Sequence, residues 1–245
     1  MCCVPGSDRA LLVACTLLTA CGDNIRDDLY FTFDDRQVLC GFSIDEHIHP
    51  VDWDRLQERI DIAADQRWVL NVYAHTPGVT VSHETLDRAF AMFETAGLEF
   101  TTYRDLEPMD APFTGVAFAF DDDAIDAWFG ARDVFMRYGA TLTFFVTYYA
   151  TFTEEGRQRL HALADDGHAI EAHGVNHLSA VTYAADHGAE AYVTDEVLPS
   201  IQILRDDGFD PTSFAYPGGA RSDETDAAIA PHVRYLRTTP GPCIH

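Results

Sequence analysis

Five apolar residues, Val116-Ala117-Phe118-Ala119-Phe120, run without interruption into three carboxylates, Asp121-Asp122-Asp123. An apolar run of strand length with no polar residue in it predicts a strand buried on both faces, the habit of parallel sheets covered by helices. Acids at its C-terminal end then stand on the rim where α/β folds keep their chemistry. The segment therefore obliges its flanks to supply parallel neighbours and covering helices.

The flanks read that way. Asp52-Trp53-Asp54-Arg55-Leu56 opens a helix with acids in its first turn and an apolar face of Leu56, Ile60, Ile62 and Ala63. Trp68–Ala74 reads as a strand ending on His75, Ser82 caps a helix that turns Leu86, Phe90 and Phe93 inward, and Glu99–Tyr103 is the next strand. Beyond the acids come a helix from Ala124 to about Tyr138, a strand over Thr141–Thr147, a helix over Thr153–Asp166 and a strand over His168–Ala172 ending on His173. A helix from about Ala189 to Asp207, a strand over Ser213–Tyr216 ending on Pro217-Gly218-Gly219, a helix near Asp223–Ala230 and a strand over Tyr235–Thr239 complete the series. Seven strands alternating with helices predict one parallel α/β domain, either a closed (β/α) barrel or an open doubly wound sheet.

Two acidic stretches fall outside this pattern. Thr32-Phe33-Asp34-Asp35 resembles a short strand ending on acids, but Arg36 follows and no amphipathic helix comes after, so it is assigned to a linker or edge. Asp45-Glu46-His47-Ile48-His49 is read as a solvated loop, because spacing fixes no third metal ligand there.

The 245 residues, 47% hydrophobic, suffice for one sizeable core. Forty acidic residues against 16 basic ones, all arginine, give a formal charge of -24, which repels phosphate backbones and argues against a nucleic-acid partner. At the front, Arg9 precedes the apolar run Leu11–Ala20, too short to span a bilayer but of signal-peptide length, and Leu18-Thr19-Ala20-Cys21 resembles a bacterial lipobox. The expectation is a lipoprotein signal peptide over 1–20, a lipidated Cys21 with an acidic linker over 21–38, and a single domain over 39–245. It makes the chain an exported protein of the bacterial cell envelope, touching membrane only through its anchor. Cys40 and Cys243 then remain in the mature domain, as a pair or as two buried thiols.

Parallel strands present their C-terminal ends on one face, so His75, Asp121, Asp122, His173 and the Pro217-Gly218-Gly219 turn converge from distant parts of the chain. His173 and His177 have the spacing of a metal clip, and one carboxylate completes a two-histidine, one-carboxylate site with open positions. Of two adjacent carboxylates, one can bind metal while the other stays free as a base.

These residues carry a resemblance. Ala119-Phe120-Asp121-Asp122-Asp123, Thr143-Phe144-Phe145-Val146, His173-Gly174-Val175-Asn176-His177 and Phe214-Ala215-Tyr216-Pro217-Gly218-Gly219 are similar, in order and interval, to motifs of the polysaccharide deacetylase family, carbohydrate esterase family 4. The family's closing motifs are found here at the front, as Asp52-Trp53 and Tyr73-Ala74-His75. The resemblance thus implies a single-domain, seven-stranded distorted (β/α) barrel in circularly permuted order; the competing reading is a fragment whose closing motifs lie beyond His245. Permutation would also bring Cys40 and Cys243 close enough for a disulfide.

The resemblance further implies that Asp122, His173 and His177 hold a divalent metal, zinc first, with cobalt, nickel or iron as alternatives. It makes Asp121 the base toward the attacking water, and the Tyr216-Pro217-Gly218 turn the oxyanion and substrate contact through the Gly218 N–H. His75 is then the acid toward the departing amine, with Asp52 as its orienting partner. The implied activity is hydrolysis of N-acetyl groups on a cell-surface or extracellular polysaccharide. Two departures, Ala215 where many members have an arginine that orients the catalytic Asp, and Asp123 where they have glycine, favour the alternative of a non-catalytic carbohydrate-binding lipoprotein. A non-haem iron oxygenase with the same ligand set is disfavoured by the α/β pattern.

Overall fold

The computed structural model describes residues 29–47, 49–108 and 111–239. The signal peptide, Cys21 and Cys243 lie outside them. Ten strands occur among the described residues: β1 Tyr30–Phe31, β2 Val38–Cys40, β3 Phe42–Ser43, β4 Val69–Ala74, β5 Glu99–Thr101, β6 Gly115–Asp122, β7 Thr143–Val146, β8 Ala169–Ala172, β9 Ser213–Ala215 and β10 Tyr235–Thr238. The helices are α1 Trp53–Gln66, α2 His83–Thr95, α3 Ile125–Gly130, α4 Arg132–Arg137, α5 Glu154–Asp165, α6 Ala180–His187, α7 Ala189–Tyr192, α8 Leu198–Asp206 and α9 Asp223–Ile229, with a π-helical turn at Val193–Val197 joining α7 to α8.

Ten strands replace the seven expected, and the additional three come from the stretch read as linker and loop. The described part of that stretch packs with the barrel: Leu29, Tyr30, Phe31 and Phe33, ahead of the expected boundary at 39, are buried. Strands this short carry no readable periodicity. Their place is nonetheless decisive, because β2 pairs in parallel with β10, while β3, one residue beyond Gly41, pairs in parallel with β4. Parallel pairing then runs β4-β6-β7-β8-β9-β10-β2, and the sheet becomes a nearly closed barrel. Cys40, at the end of β2, is disulfide-bonded to a cysteine outside the described residues.

The barrel has two cores. Val116, Phe118 and Phe120 of β6 face out and pack with helix residues such as Leu86, Phe90, Trp128 and Phe135. Ala117 and Ala119 face in, among Phe31, Tyr73, Tyr103, Phe145, Ala215 and Tyr235. Large residues outside and alanine inside fit the narrow interior, and the period of two puts Asp121 on that inner face as well.

The weakest seam of the ladder is β8 to β9, joined by the single register pair Ala172↔Phe214. Glu171 stitches it: its Oε2 accepts N–H bonds from Thr212 and Ser213, both at 2.7 Å. Burial raises the Glu171 pKa to about 8 despite those bonds. Because the folded-state value lies above the unfolded one, Glu171 adds stability that is complete below about pH 4.5 and is lost as pH rises through about 8. Chemical denaturation at about pH 6 and about pH 9.5 is expected to show a wild-type midpoint that drops between the two, and a Glu171→Gln midpoint that drops less.

Candidate active site

Five strands, β4, β6, β8, β9 and β10, end at one cleft of about 420 Å³, bordered by Tyr73, His75, Asp121, Asp122, His173, His177, Tyr216, Gly218, Gly219, Arg237 and Thr239. The structure thus brings together the histidines and acids singled out by their strand-end positions.

Asp122, His173 and His177 form the group able to hold a metal, their ligand atoms all within 4.8 Å of one another. Asp122 Oδ1 lies 3.5 Å from His173 Nε2 and 3.2 Å from His177 Nε2. Ligands about 2.1 Å from a common cation stand about 3.0–3.4 Å apart, so the three side chains fit a first-row divalent ion with little movement. The buried His173 has its Nδ1 2.8 Å from the Ala215 carbonyl, which makes Nδ1 the protonated nitrogen and leaves Nε2 as the ligand. Burial would raise the Asp122 pKa, but hydrogen bonds from both imidazoles hold it well below the usual carboxylate range. The His177 pKa is raised, first by that bond to Asp122.

Asp122 and His177 take positive φ, 86° and 57°. The His177 loop is held in that shape by Glu196, a buried carboxylate on the π-helical turn: Asn176 N–H donates to its Oε2 at 2.9 Å and the Asn176 amide to its Oε1 at 2.7 Å. Gly174 (φ 78°) is needed beneath, since a Cβ there would lie 2.9 Å from Glu196 Oε2.

Asp121 is 2% exposed, and its Oδ2 is ion-paired with Nη2 of the buried Arg237. Among the described residues no group donates to its other oxygen, Oδ1. Arg237 projects from β10, and its Cα partner on β9 is Ala215. The guanidinium that position 215 lacks is supplied one strand over, where the methyl of Ala215 leaves room for it. Asp123, by contrast, is exposed and stands outside the cleft, against a neighbouring depression with Thr76 and Thr153.

Just past the end of β4, the strand paired with β6, His75 Nδ1 lies 2.5 Å from Asp45 Oδ2, while the His75 N–H and the Thr80 hydroxyl donate to Asp45 Oδ1. The Trp128 indole N–H fixes the His75 carbonyl at 2.8 Å. Burial by itself would lower the His75 pKa; the bond to Asp45 and the charges of Asp121, Asp45 and Asp122 outweigh it and lift the imidazole to about 9. His75 is therefore a cation at neutral pH.

Three expectations need correction. The partner of His75 is Asp45, not Asp52, whose carboxylate caps α1 by accepting the Arg55 N–H. The segment read as a solvated loop thus supplies a buried acid, and its neighbour Glu46 accepts from Ser82 N and Thr85 Oγ1 at the start of α2. Tyr216 turns its side chain into the core, where its hydroxyl donates to Asp226 at 2.7 Å, and its N–H is committed to the Arg237 carbonyl. Since Gly219 N–H bonds the Tyr216 carbonyl and Pro217 has none, Gly218 N–H is the donor the turn has left.

Comparison with known proteins bears on the family and the fold. The family model described as polysaccharide deacetylase matches residues 110–234, just over half of the chain. Among solved structures, the fold is similar to the Streptococcus pyogenes deacetylase PplD in complex with acetate, at 20% identity over 71% of this chain and 92% of that one, with a TM-score of 0.52. IcaB from Ammonifex degensii follows at 16% identity, 68% and 80% coverage and TM-score 0.54. The BpsB deacetylase domain from Bordetella bronchiseptica has 14% identity, 87% and 96% coverage and TM-score 0.50. At such identities the likeness is one of fold. No curated protein matches the chain.

The Asp45–His75 pair is open to direct titration. In the metal-free protein the His75 imidazole is expected to titrate near pH 9 by NMR, and in Asp45→Asn at least about one unit lower, because the burial penalty remains while the neighbouring charge is gone. Equal values in the two proteins would remove Asp45 from this role.

Proposed function

The chain belongs to the polysaccharide deacetylase family, and from that premise we propose that it is a metal-dependent hydrolase removing N-acetyl groups from an extracellular or cell-surface polysaccharide. The observation that carries the reading is the division of protons across one cleft. A carboxylate with one oxygen pinned and the other free faces an imidazolium, with a metal-binding triad between them in the sequence of roles.

Asp122, His173 and His177 would hold the divalent cation, zinc first among the candidates, and when bound it supplies water activation and carbonyl polarisation. The rest falls to the chain itself. Arg237 fixes Asp121 through Oδ2, so Oδ1 is the oxygen that takes the proton of the attacking water. Gly218 N–H, in the middle of the turn at a φ of 62° that glycine adopts freely, is the donor toward the charge that develops on the acetamide oxygen. His75, kept protonated by Asp45, gives its proton to the departing amine, which leaves as a neutral group. The loss of arginine at position 215, which favoured a binding-only module, is offset by Arg237.

The proposal extends to chain order and place. The family match starts just ahead of β6, while β4 and His75 come before it, which supports a circular permutation. The apolar run before Cys21, together with a disulfide at Cys40, supports export and lipid anchoring.

Acetate release from N-acetylated chito-oligosaccharides tests the reaction. The wild-type chain with added zinc is expected to release acetate and to stop on chelation. Asp121→Asn and His75→Ala should each lower kcat by about 10²–10⁴, with the metal still bound. A wild type that releases no acetate with any first-row divalent metal would end the proposal.

A further inference from the structure

Among the described residues, five other than glycine take positive φ: Phe33, Arg67, Asp122, Tyr148 and His177. Two of these, Asp122 and His177, are ligands lining the cleft, and a third has its ring against that of His177. Tyr148 is the third, with φ 52° and ψ 23°, and the chemistry above gives it no task. A bulky aromatic residue in the left-handed region is a steric outlier, and backbone strain of this kind gathers where function holds it in place.

The strain at Tyr148 is held on both sides. Before it, Thr147 N–H donates to the Asp122 carbonyl at 3.0 Å, and the Thr147 hydroxyl donates to the Gly174 carbonyl at 2.9 Å, which ties the two ligand loops together. After it, Thr151 donates both its N–H (2.9 Å) and its hydroxyl (2.8 Å) to the Tyr148 carbonyl. The strained backbone is therefore fixed relative to the ligands.

Its ring gains little from the fold. Tyr148 is 39% exposed, and its ring centroid lies 6.2 Å from that of His177 at an interplanar angle of 39°. Leu178, directly after His177, is likewise exposed, at 38%. An exposed aromatic face beside a metal ligand suits one class of ligand on chemical grounds: a sugar ring, whose axial C–H groups make one face apolar while its hydroxyls stay in water. A rigid ring with two side-chain torsions offers that contact at small entropic cost.

We infer that Tyr148 is a stacking platform for a pyranose ring of the substrate on the His177 side of the cleft, and that its left-handed backbone is what aims the ring there. The inference rests on the polysaccharide deacetylase reading, but binding can be scored apart from turnover.

The experiment compares wild type with Tyr148→Phe, Tyr148→Ala and Tyr148→Gly as zinc-loaded full chains, using N-acetylated chito-oligosaccharides as the probe for both calorimetric binding and acetate release. Tyr148→Ala and Tyr148→Gly are expected to raise Kd and KM about tenfold with kcat within about threefold, while Tyr148→Phe keeps wild-type values. Zinc affinity should be unchanged in all three. Because only glycine adopts the backbone shape freely, Tyr148→Gly should melt about 2–4 °C above Tyr148→Ala at equal loss of binding, which separates the backbone strain from the loss of the ring. Wild-type Kd and KM in the alanine and glycine variants would overturn the inference, as would a phenylalanine variant as impaired as the alanine one. Should the wild type bind the oligosaccharide through Tyr148 without releasing acetate, the deacetylase reading fails and the platform stands; if it neither binds nor releases, both fall.

Discussion

The ion pair between Arg237 and Asp121 sits where a barrel can least easily hold it, on the inner face with both side chains almost fully buried. Taking either charge out of water costs several kcal/mol, and a partner left alone there is destabilising by about 3–5 kcal/mol, so the two must be kept or lost together. The interior is arranged around that requirement. Tyr73 and Phe145 present ring faces to the guanidinium at 4.8 and 5.2 Å, which a delocalised, weakly hydrated cation accepts better than an ammonium would. Ala117, Ala119 and Ala215 keep the inner face small, and Ala215 is the register partner of the arginine. One interaction thus fixes which inward positions are small, which are aromatic, and which oxygen of Asp121 remains for chemistry.

Much of this was legible because parallel strands obey simple rules. His75, Asp121, Asp122 and His173 are strand-end residues on strands that an apolar pattern identifies, and a common C-terminal rim follows from parallel pairing alone. Arg237 was hidden for the opposite reason. A charge in the middle of Tyr235–Thr238 looks like a solvent-facing residue of an edge strand, and only register reveals that it replaces a side chain absent from its neighbour on β9. The alternation of Val116, Phe118 and Phe120 with Ala117 and Ala119 did hold the clue to a narrow interior, but as an unbroken apolar run it read only as buried.

The confusion of Asp45 with Asp52 has a similar cause. Both acids precede the same helix, and Asp52 carries the local signal because it is the N-cap, a role set by residues three positions away. Asp45 meets His75 across 30 residues, through the placement of β3 beside β4, and two-residue strands leave no pattern to read. Glu196 and Tyr148 belong to the same class: one reaches its loop from 20 residues away, and the other is marked by a backbone angle rather than by composition.

The front of the chain is therefore structural and chemical at once. Without β2 and β3 the sheet would expose the edge of β10 and the Val72–Tyr73 part of β4 that β1 does not cover, leaving N–H and C=O groups unpaired. The same segment carries Asp45 to His75, and β4 carries His75 itself into the cleft that Asp121 lines. Closing the barrel and completing the proton inventory are one event. The strand that carries Arg237 is sealed by the same front segment, since Arg237 pairs with Leu39 of β2.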